Sequence, residues 1–338
     1  MIAWLLLACA PAPLFEGGLQ PLQHSEPRSA KQCQSCHPDQ TEQWSHSRHA
    51  SAWTNPVFAA SIEPTLGKQW CMNCHAPLPQ QQADLAEGGL GLAAEGVNCA
   101  VCHLRDGKVL TSNKPSARAL AQHAMRRDKR LSSSEFCAGC HEFDLIDVHA
   151  RPDIVPTGTA AQSTHSEWDM SAYKADTPCQ SCHMSEGSHR FPGAHDPTLL
   201  TAALSATVVR STEQPGFAMG TVTSHAVGHA TPSGDPFRRL ELWICADPTC
   251  TEPLERRGYH RFFRADRDGN WRLAQDHSVP SPERGPDASH SRLIKVPDGP
   301  ASWQLRYFYG DPKLEAGLPQ DEVYRIVDRG ELSSRSLP

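Results

Sequence analysis

Five copies of one short pattern carry the chemistry of this chain: Cys33-Gln-Ser-Cys36-His37, Cys71-Met-Asn-Cys74-His75, Cys99-Ala-Val-Cys102-His103, Cys137-Ala-Gly-Cys140-His141 and Cys179-Gln-Ser-Cys182-His183. Two thiols at this spacing can bond covalently to a porphyrin edge, and the adjacent imidazole then falls beneath the iron. C-x-x-C-H is the attachment signature of c-type haem. With 13 Cys and 18 His in 338 residues, random order would give roughly 0.03 such patterns. Other uses of paired cysteines explain less. A zinc site uses C-x-x-C pairs but has no role for a His after every second Cys. A redox dithiol needs one pair beside a βαβ pattern, and a disulfide scaffold does not need the histidines. The pattern therefore predicts five covalently bound haems, with His37, His75, His103, His141 and His183 as proximal iron ligands.

The elements that hold these motifs must be short. Residues 33–183 offer about 30 residues per haem, too few to enclose separate apolar pockets, so the porphyrins are expected to pack on one another. A second echo accompanies the motifs: Trp44-x-x-Ser47-x-His49 and Trp168-x-x-Ser171-x-Tyr173. Strong helix formers predict a helix over 117–127, and another fits 40–51. Composition changes near residue 200. Segments 204–210, 239–245, 259–263, 291–296, 302–309 and 322–327 alternate in polarity and read as strands. Turn signals separate some of them, such as Asp268-Gly269-Asn270 and Pro297-Asp298-Gly299. The expected fold is mixed: a haem-dominated, loop-rich segment of short helices over residues 31–200, then an antiparallel β-sandwich over 201–338. Cys245 and Cys250 close a short loop suited to a local disulfide outside the cytoplasm.

Residues 1–30 read as a signal and linker. An apolar run ends in Leu6-Leu7-Ala8-Cys9, which looks like a lipoprotein signal with Cys9 as the lipidation candidate, although no Lys or Arg precedes it. A simple secretory signal ending near Ala10 to Ala12 is the other reading. Both export the chain to the periplasm or outer-membrane surface. The formal charge of −6 falls to about −11 when five ferric haems and ionised propionates are added, which excludes nucleic acid as a partner. The one basic run, Arg126-Arg127-Asp128-Lys129-Arg130, reads as either a docking face for an acidic partner or the solvated end of a helix.

A sixth iron position separates a wire from an enzyme. A second His closes the site for electron transfer, whereas an open position admits substrate. Thirteen histidines lie outside the motifs. The chain here resembles the multihaem cytochromes of the cytochrome c-554 type, related to hydroxylamine oxidoreductase. The resemblance covers roughly residues 30–200. It rests on Cys33-x-x-Cys36-His37 followed by Trp44-x-x-Ser47-x-His49-Ala50, on Gly96-Val-x-Cys99-x-x-Cys102-His103, and on Glu167-Trp168-x-x-Ser171 before Cys179-Gln-x-Cys182-His183-Met184. It implies a compact array of mostly bis-His c haems passing electrons between redox proteins, with His49 as distal ligand to a haem other than its neighbour's. His46 is expected to point elsewhere. Further distal candidates are His123, His189, His195 and His229. His229 lies in Gly228-His-Ala-Thr-Pro-Ser-Gly234, which looks like a segment of sandwich domains appended to multihaem cytochromes, and would there tie the two domains together.

The expectation is thus an extracytoplasmic electron carrier without substrate turnover of its own. The alternative is a reductase or oxidase of a small nitrogen or sulfur species at one five-coordinate haem. No C-x-x-C-K motif, the mark of pentahaem nitrite reductases, occurs.

Overall fold

The computed structural model describes residues 28–62, 68–147, 149–150 and 155–332; Cys9 and the expected signal lie outside them. Each motif begins or ends a short helix: Ala30–Gln34, Lys68–His75, Cys99–His103, Ser134–His141 and Cys179–His183. Local chemistry starts these helices. Ser29 accepts the backbone N–H of Lys31 and Gln32 reaches back in a capping box, and Asn98 caps the third motif. Pro38 and Pro79 open the helices Pro38–Ser45 and Pro79–Ala86 at the first helical position, where a missing N–H costs nothing.

Five short strands thread the same half: β1 (Leu104–Arg105), β2 (Lys108–Thr111), β3 (Met125–Arg127), β4 (Glu142–Ile146) and β5 (Pro156–Ser163). The first three form one sheet and the last two a ribbon. The helix expected over 117–127 stops at Gln122. His123 turns extended, and Met125–Arg127 instead pairs in parallel with Val109–Thr111. The helix expected over 40–51 runs from Pro38 to Ser45 and continues as turns.

Residues from Pro197 onward build a different body. The helix Pro197–Ala203 leads into β6 (Leu204–Arg210), β7 (Phe217–His225), β8 (Arg239–Cys245), β9 (Glu255–Gly258), β10 (Arg261–Ala265), β11 (Trp271–Asp276), β12 (Asp287–Lys295), β13 (Ala301–Phe308) and β14 (Tyr324–Leu332). They form antiparallel sheets in the orders β12-β7-β6 and β14-β13-β8-β9, with β10-β11 as a hairpin. One core lies between the two larger sheets. Leu204, Ala206, Val222 and Ile294 from one meet Leu240, Leu242, Ile244, Leu305 and Tyr307 from the other. Leu200 joins this core, so the helix before β6 packs with the sheets.

The outer face of β13 is covered as well. Arg306 lies over the Trp243 ring and donates to the Cys250 carbonyl, while Gln304 donates to that of Pro248. Cys245 and Cys250 are bonded, with Cα atoms 5.2 Å apart, and hold this covering loop closed. The strands at 204–210 and 239–245 fall where the polarity pattern placed them. The segment at 259–263 starts its pairing at Arg261, and that at 322–327 starts at Tyr324 after a turn of helix. Among the described residues no helix is long and apolar enough to cross a membrane.

Candidate haem centres

Four of the five motif histidines face a second imidazole. Ring centroids are 6.3 Å apart for His37 and His123, 6.3 Å for His49 and His141, 6.2 Å for His103 and His189, and 6.3 Å for His183 and His229. That separation is too long for direct hydrogen bonding between the rings. Two imidazoles sharing one metal at about 2 Å from each nitrogen have centroids roughly 6 Å apart. The same distance recurs four times between residues distant in sequence.

The backbone fixes which nitrogen each ring presents. Nδ1 of His75 donates to the Ala52 carbonyl at 2.7 Å, that of His103 to Leu110 at 3.0 Å and that of His183 to Pro192 at 2.7 Å. Nδ1 of His229 donates to the carbonyl of Ala230 at 2.9 Å, and His141 Nδ1 meets the Gln162 amide at 2.9 Å. A carbonyl can only accept, so His75, His103, His183 and His229 carry their proton on Nδ1 and leave the Nε2 lone pair for a metal, whereas the Gln162 amide donates to His141 Nδ1. Burial also favours the neutral form of several of the imidazoles. It lowers the pKa of His75, His103 and His229, brings His49 to about 4 and His141 to about 3, and neighbouring imidazoles add to the last two shifts.

The tryptophan echo is a repeated positioning device that sequence reasoning noticed but did not interpret. The Trp44 indole donates to the carbonyl of Val97, two residues before motif three, and the Trp168 indole to that of Thr177, two residues before motif five. The residue preceding each Trp grips the opposite side. Gln43 accepts the backbone N–H of His189, and Glu167 that of Ala230, next to His229. Each pair thus holds both halves of one histidine couple, His103–His189 in the first case and His183–His229 in the second. Ser47 and Ser171 close the same turn onto the Trp carbonyls. Gly96 makes the first copy possible. Its φ is +52°, and a Cβ there would strike the His49 carbonyl, to which Val97 donates at 2.9 Å.

Two expected sites differ. His195 is not brought to a motif histidine. It stacks on Tyr309 at 3.8 Å and meets Arg48, which also binds Glu322 through both carboxylate oxygens. Burial and the neighbouring Arg48 hold its pKa at about 2. His75 is the motif histidine whose described ring partner is not an imidazole: Phe58 stacks on it at 3.7 Å, nearly parallel. His46 is exposed and turns back to the Glu42 carbonyl, as expected.

Thiols of different motifs touch. Cys33 hydrogen-bonds with Cys99, Cys74 with Cys140, and Cys137 with Cys179. Motif four is therefore in contact with motifs two and five, while motif one touches motif three. Burial raises the Cys102 thiol to about 11. Arg238 adds a fitting anion site. Its Nε is shielded from solvent and meets no acceptor, while another nitrogen donates to the Ser233 carbonyl at 3.2 Å. It acts on His141 and His229, where a haem propionate would satisfy it. The donor set fits haem.

Residues 32–104 match the family model of cytochrome c554 and c-prime. The whole fold is similar to the crystal structure of a penta-heme cytochrome c552 from Thermochromatium tepidum, with a TM-score of 0.65 at 20% identity over 90% of this chain and 99% of that one. Residues 32–104 are thus similar in sequence to the c554-type cytochromes, and the whole chain is similar in fold to a penta-heme cytochrome. Among curated proteins none matches its sequence. The chain has the two parts expected, short motif-bearing helices and appended antiparallel sheets.

Proposed function

We propose that this chain passes electrons through five covalently bound c haems between extracytoplasmic redox proteins. The ten motif cysteines would form the thioethers and the five motif histidines the proximal ligands. His123, His49, His189 and His229 would complete the irons of motifs one, four, three and five. The observation that carries this reading is the 6.2–6.3 Å separation repeated in four histidine couples. Iron alternating between ferric and ferrous supplies the redox chemistry. The chain orders the centres, shields them and sets each potential by ligand and charge.

The thiol contacts support two electron-transfer segments, one joining motifs one and three and the other joining motifs two, four and five. The division near residue 200 then separates a conducting part from a bracing part, since Glu167 accepts from Ala230 and Ser233 and so secures the His229 loop. Attachment to a membrane would come from a lipid on Cys9.

A second reading concerns motif two alone. Among the described residues no imidazole stands about 6 Å from His75, which stacks on Phe58 instead; a haem there with a free sixth position would bind and turn over a small nitrogen or sulfur species. One titration separates the readings. Holoprotein from a host competent in cytochrome maturation should contain five haems per chain by pyridine haemochrome; its ferrous form should bind no carbon monoxide if every haem is closed, and one if the haem of motif two is open. His49→Ala should make one additional haem high-spin and carbon monoxide-reactive. Fewer than five haems, or an unchanged spectrum in the variant, would refute the assignment.

A further inference from the structure

Charge is segregated along the row of motifs. Between residues 104 and 132 the chain carries eight Lys or Arg and two acids, in a protein whose formal charge is −6. The next stretch, residues 133–187, carries nine acids and two bases. Topology gathers the basic stretch into one lobe. β1, β2 and β3 form its sheet, Asp128 donates its N–H to Thr111, and Arg127 donates to the Ser112 carbonyl. Its two acids are already engaged, Asp106 with Arg126 and Asp128 with Arg130. Arg105 is internal and donates to the carbonyls of Val101 and Leu104. Lys108, Lys114, Arg118, Arg127 and Lys129 are left on the surface, as is Leu120, which is 55% exposed.

This lobe stands at the end of the motif row. It supplies His123, the ring facing His37, and motif one touches only motif three among the described thiol contacts between motifs. Cys36 and His37 are exposed, and His123 reaches this motif from the basic region. Of the charges beside motif one, Lys31 and Asp39 are of opposite sign, and Glu42 is paired with Arg190. A basic lobe with an exposed apolar side chain, beside the exposed Cys36 and His37, has the make-up of a transient electron-transfer interface.

We propose that the 104–132 lobe is the docking surface for an acidic redox protein, which exchanges electrons with the haem of motif one. This rests on the haem reading above. The acidic stretch at the motif-five end repels the same partner and so orients it. The transfer is a single electron: a reduced partner is oxidised by one electron and a ferric haem iron becomes ferrous.

Reduced plant-type [2Fe–2S] ferredoxin, an acidic one-electron donor of low potential, serves as the probe, with stopped-flow reduction of the ferric holoprotein as readout. The rate should fall steeply as ionic strength rises. Lys114→Glu/Arg118→Glu/Lys129→Glu should slow it on the order of tenfold or more at low salt, and Lys114→Glu alone should slow it less. Reduction of the same variants by a neutral mediator, and their ferric spectra, should be unchanged. A ferredoxin rate indifferent to salt, or equal in native and triple variant, would overturn the proposal. So would loss of binding to phosphatidylglycerol vesicles in the variant with no change in ferredoxin rate, since the lobe would then serve a membrane. Failure of the neutral mediator to reduce the native protein would instead strike the haem reading itself.

Discussion

Among the described residues between 28 and 196, the clustered buried apolar side chains form two small groups, Leu78 with Ala100, Val101 and Leu104, and Trp53 with Met72, Ala76, Leu85 and Ala93. A few others, such as Leu110, are buried apart from them. Beyond Pro197 one continuous core joins two sheets, from Leu200 through Leu242 and Leu305 to Leu332. Burial of apolar area is the main favourable term in folding, so the two regions cannot be stabilised in the same way. The sheets contain their own interior. The motif-bearing half has short helices, each below the length at which a helix is stable alone, and its polypeptide interior is thin. Porphyrin faces would supply the apolar surface it lacks. Cofactor attachment in that half would then be part of folding, while in the sheets it would not.

The sharpest way to break this contrast is to withhold haem. The full chain made without cytochrome maturation should lose residues 28–196 rapidly to protease and leave a resistant fragment spanning roughly residues 197–332, identified by mass spectrometry. Equal resistance of both parts would show that the motif half has a sufficient core of its own. A smaller effect is expected from Leu242→Ala in the holoprotein. Leu242 is fully buried between the sheets, and its truncation should cost about 2–5 kcal/mol, read as a lower unfolding midpoint by tryptophan fluorescence. The ferric haem spectrum at room temperature should be unaltered.

The smallest effect is a pH dependence confined to the sheets. His260 is buried, stacked on Phe262 at 4.2 Å, and desolvation lowers its pKa from 6.5 to about 4. The unfolded chain therefore binds its proton first, so stability falls as pH drops from about 6.5 to 4 and levels off below that. The penalty is at most roughly 3 kcal/mol. His260→Phe should flatten this part of the stability curve without affecting haem absorbance; an unchanged slope would assign the pH dependence elsewhere.

The legibility of the sequence followed the same division. Segments 204–210 and 239–245 were plain as strands because large apolar residues alternate with polar ones. β7, the central strand of its sheet, was missed. Its inward positions are Ala218, Gly220, Val222 and Ser224, too small to register as an apolar stripe. They are small because the opposite sheet comes close. Tyr259 donates to the Gly220 carbonyl at 2.6 Å, and a Cβ at Gly220 would collide with Leu242. The helix expected to run to Arg127 had the right propensity, but pairing of Met125 with Val109 outweighed it. His195 was grouped with His189 because both follow motif five, yet Tyr309 and Arg48, from remote segments, claim it.

By itself the sequence determined where thiols and proximal imidazoles fall, because that chemistry needs only five consecutive residues and survives any folding around it. It also determined that two kinds of structure follow one another. Only the tertiary structure decided which histidine stands across from which motif. His123, His49, His189 and His229 are 86, 92, 86 and 46 residues from their partners. They are brought there by gripped backbone groups such as those held by Gln43, Trp44, Glu167 and Trp168. A ring's identity is written locally, but its distance from another ring is fixed by every hydrogen bond that packs the chain between them.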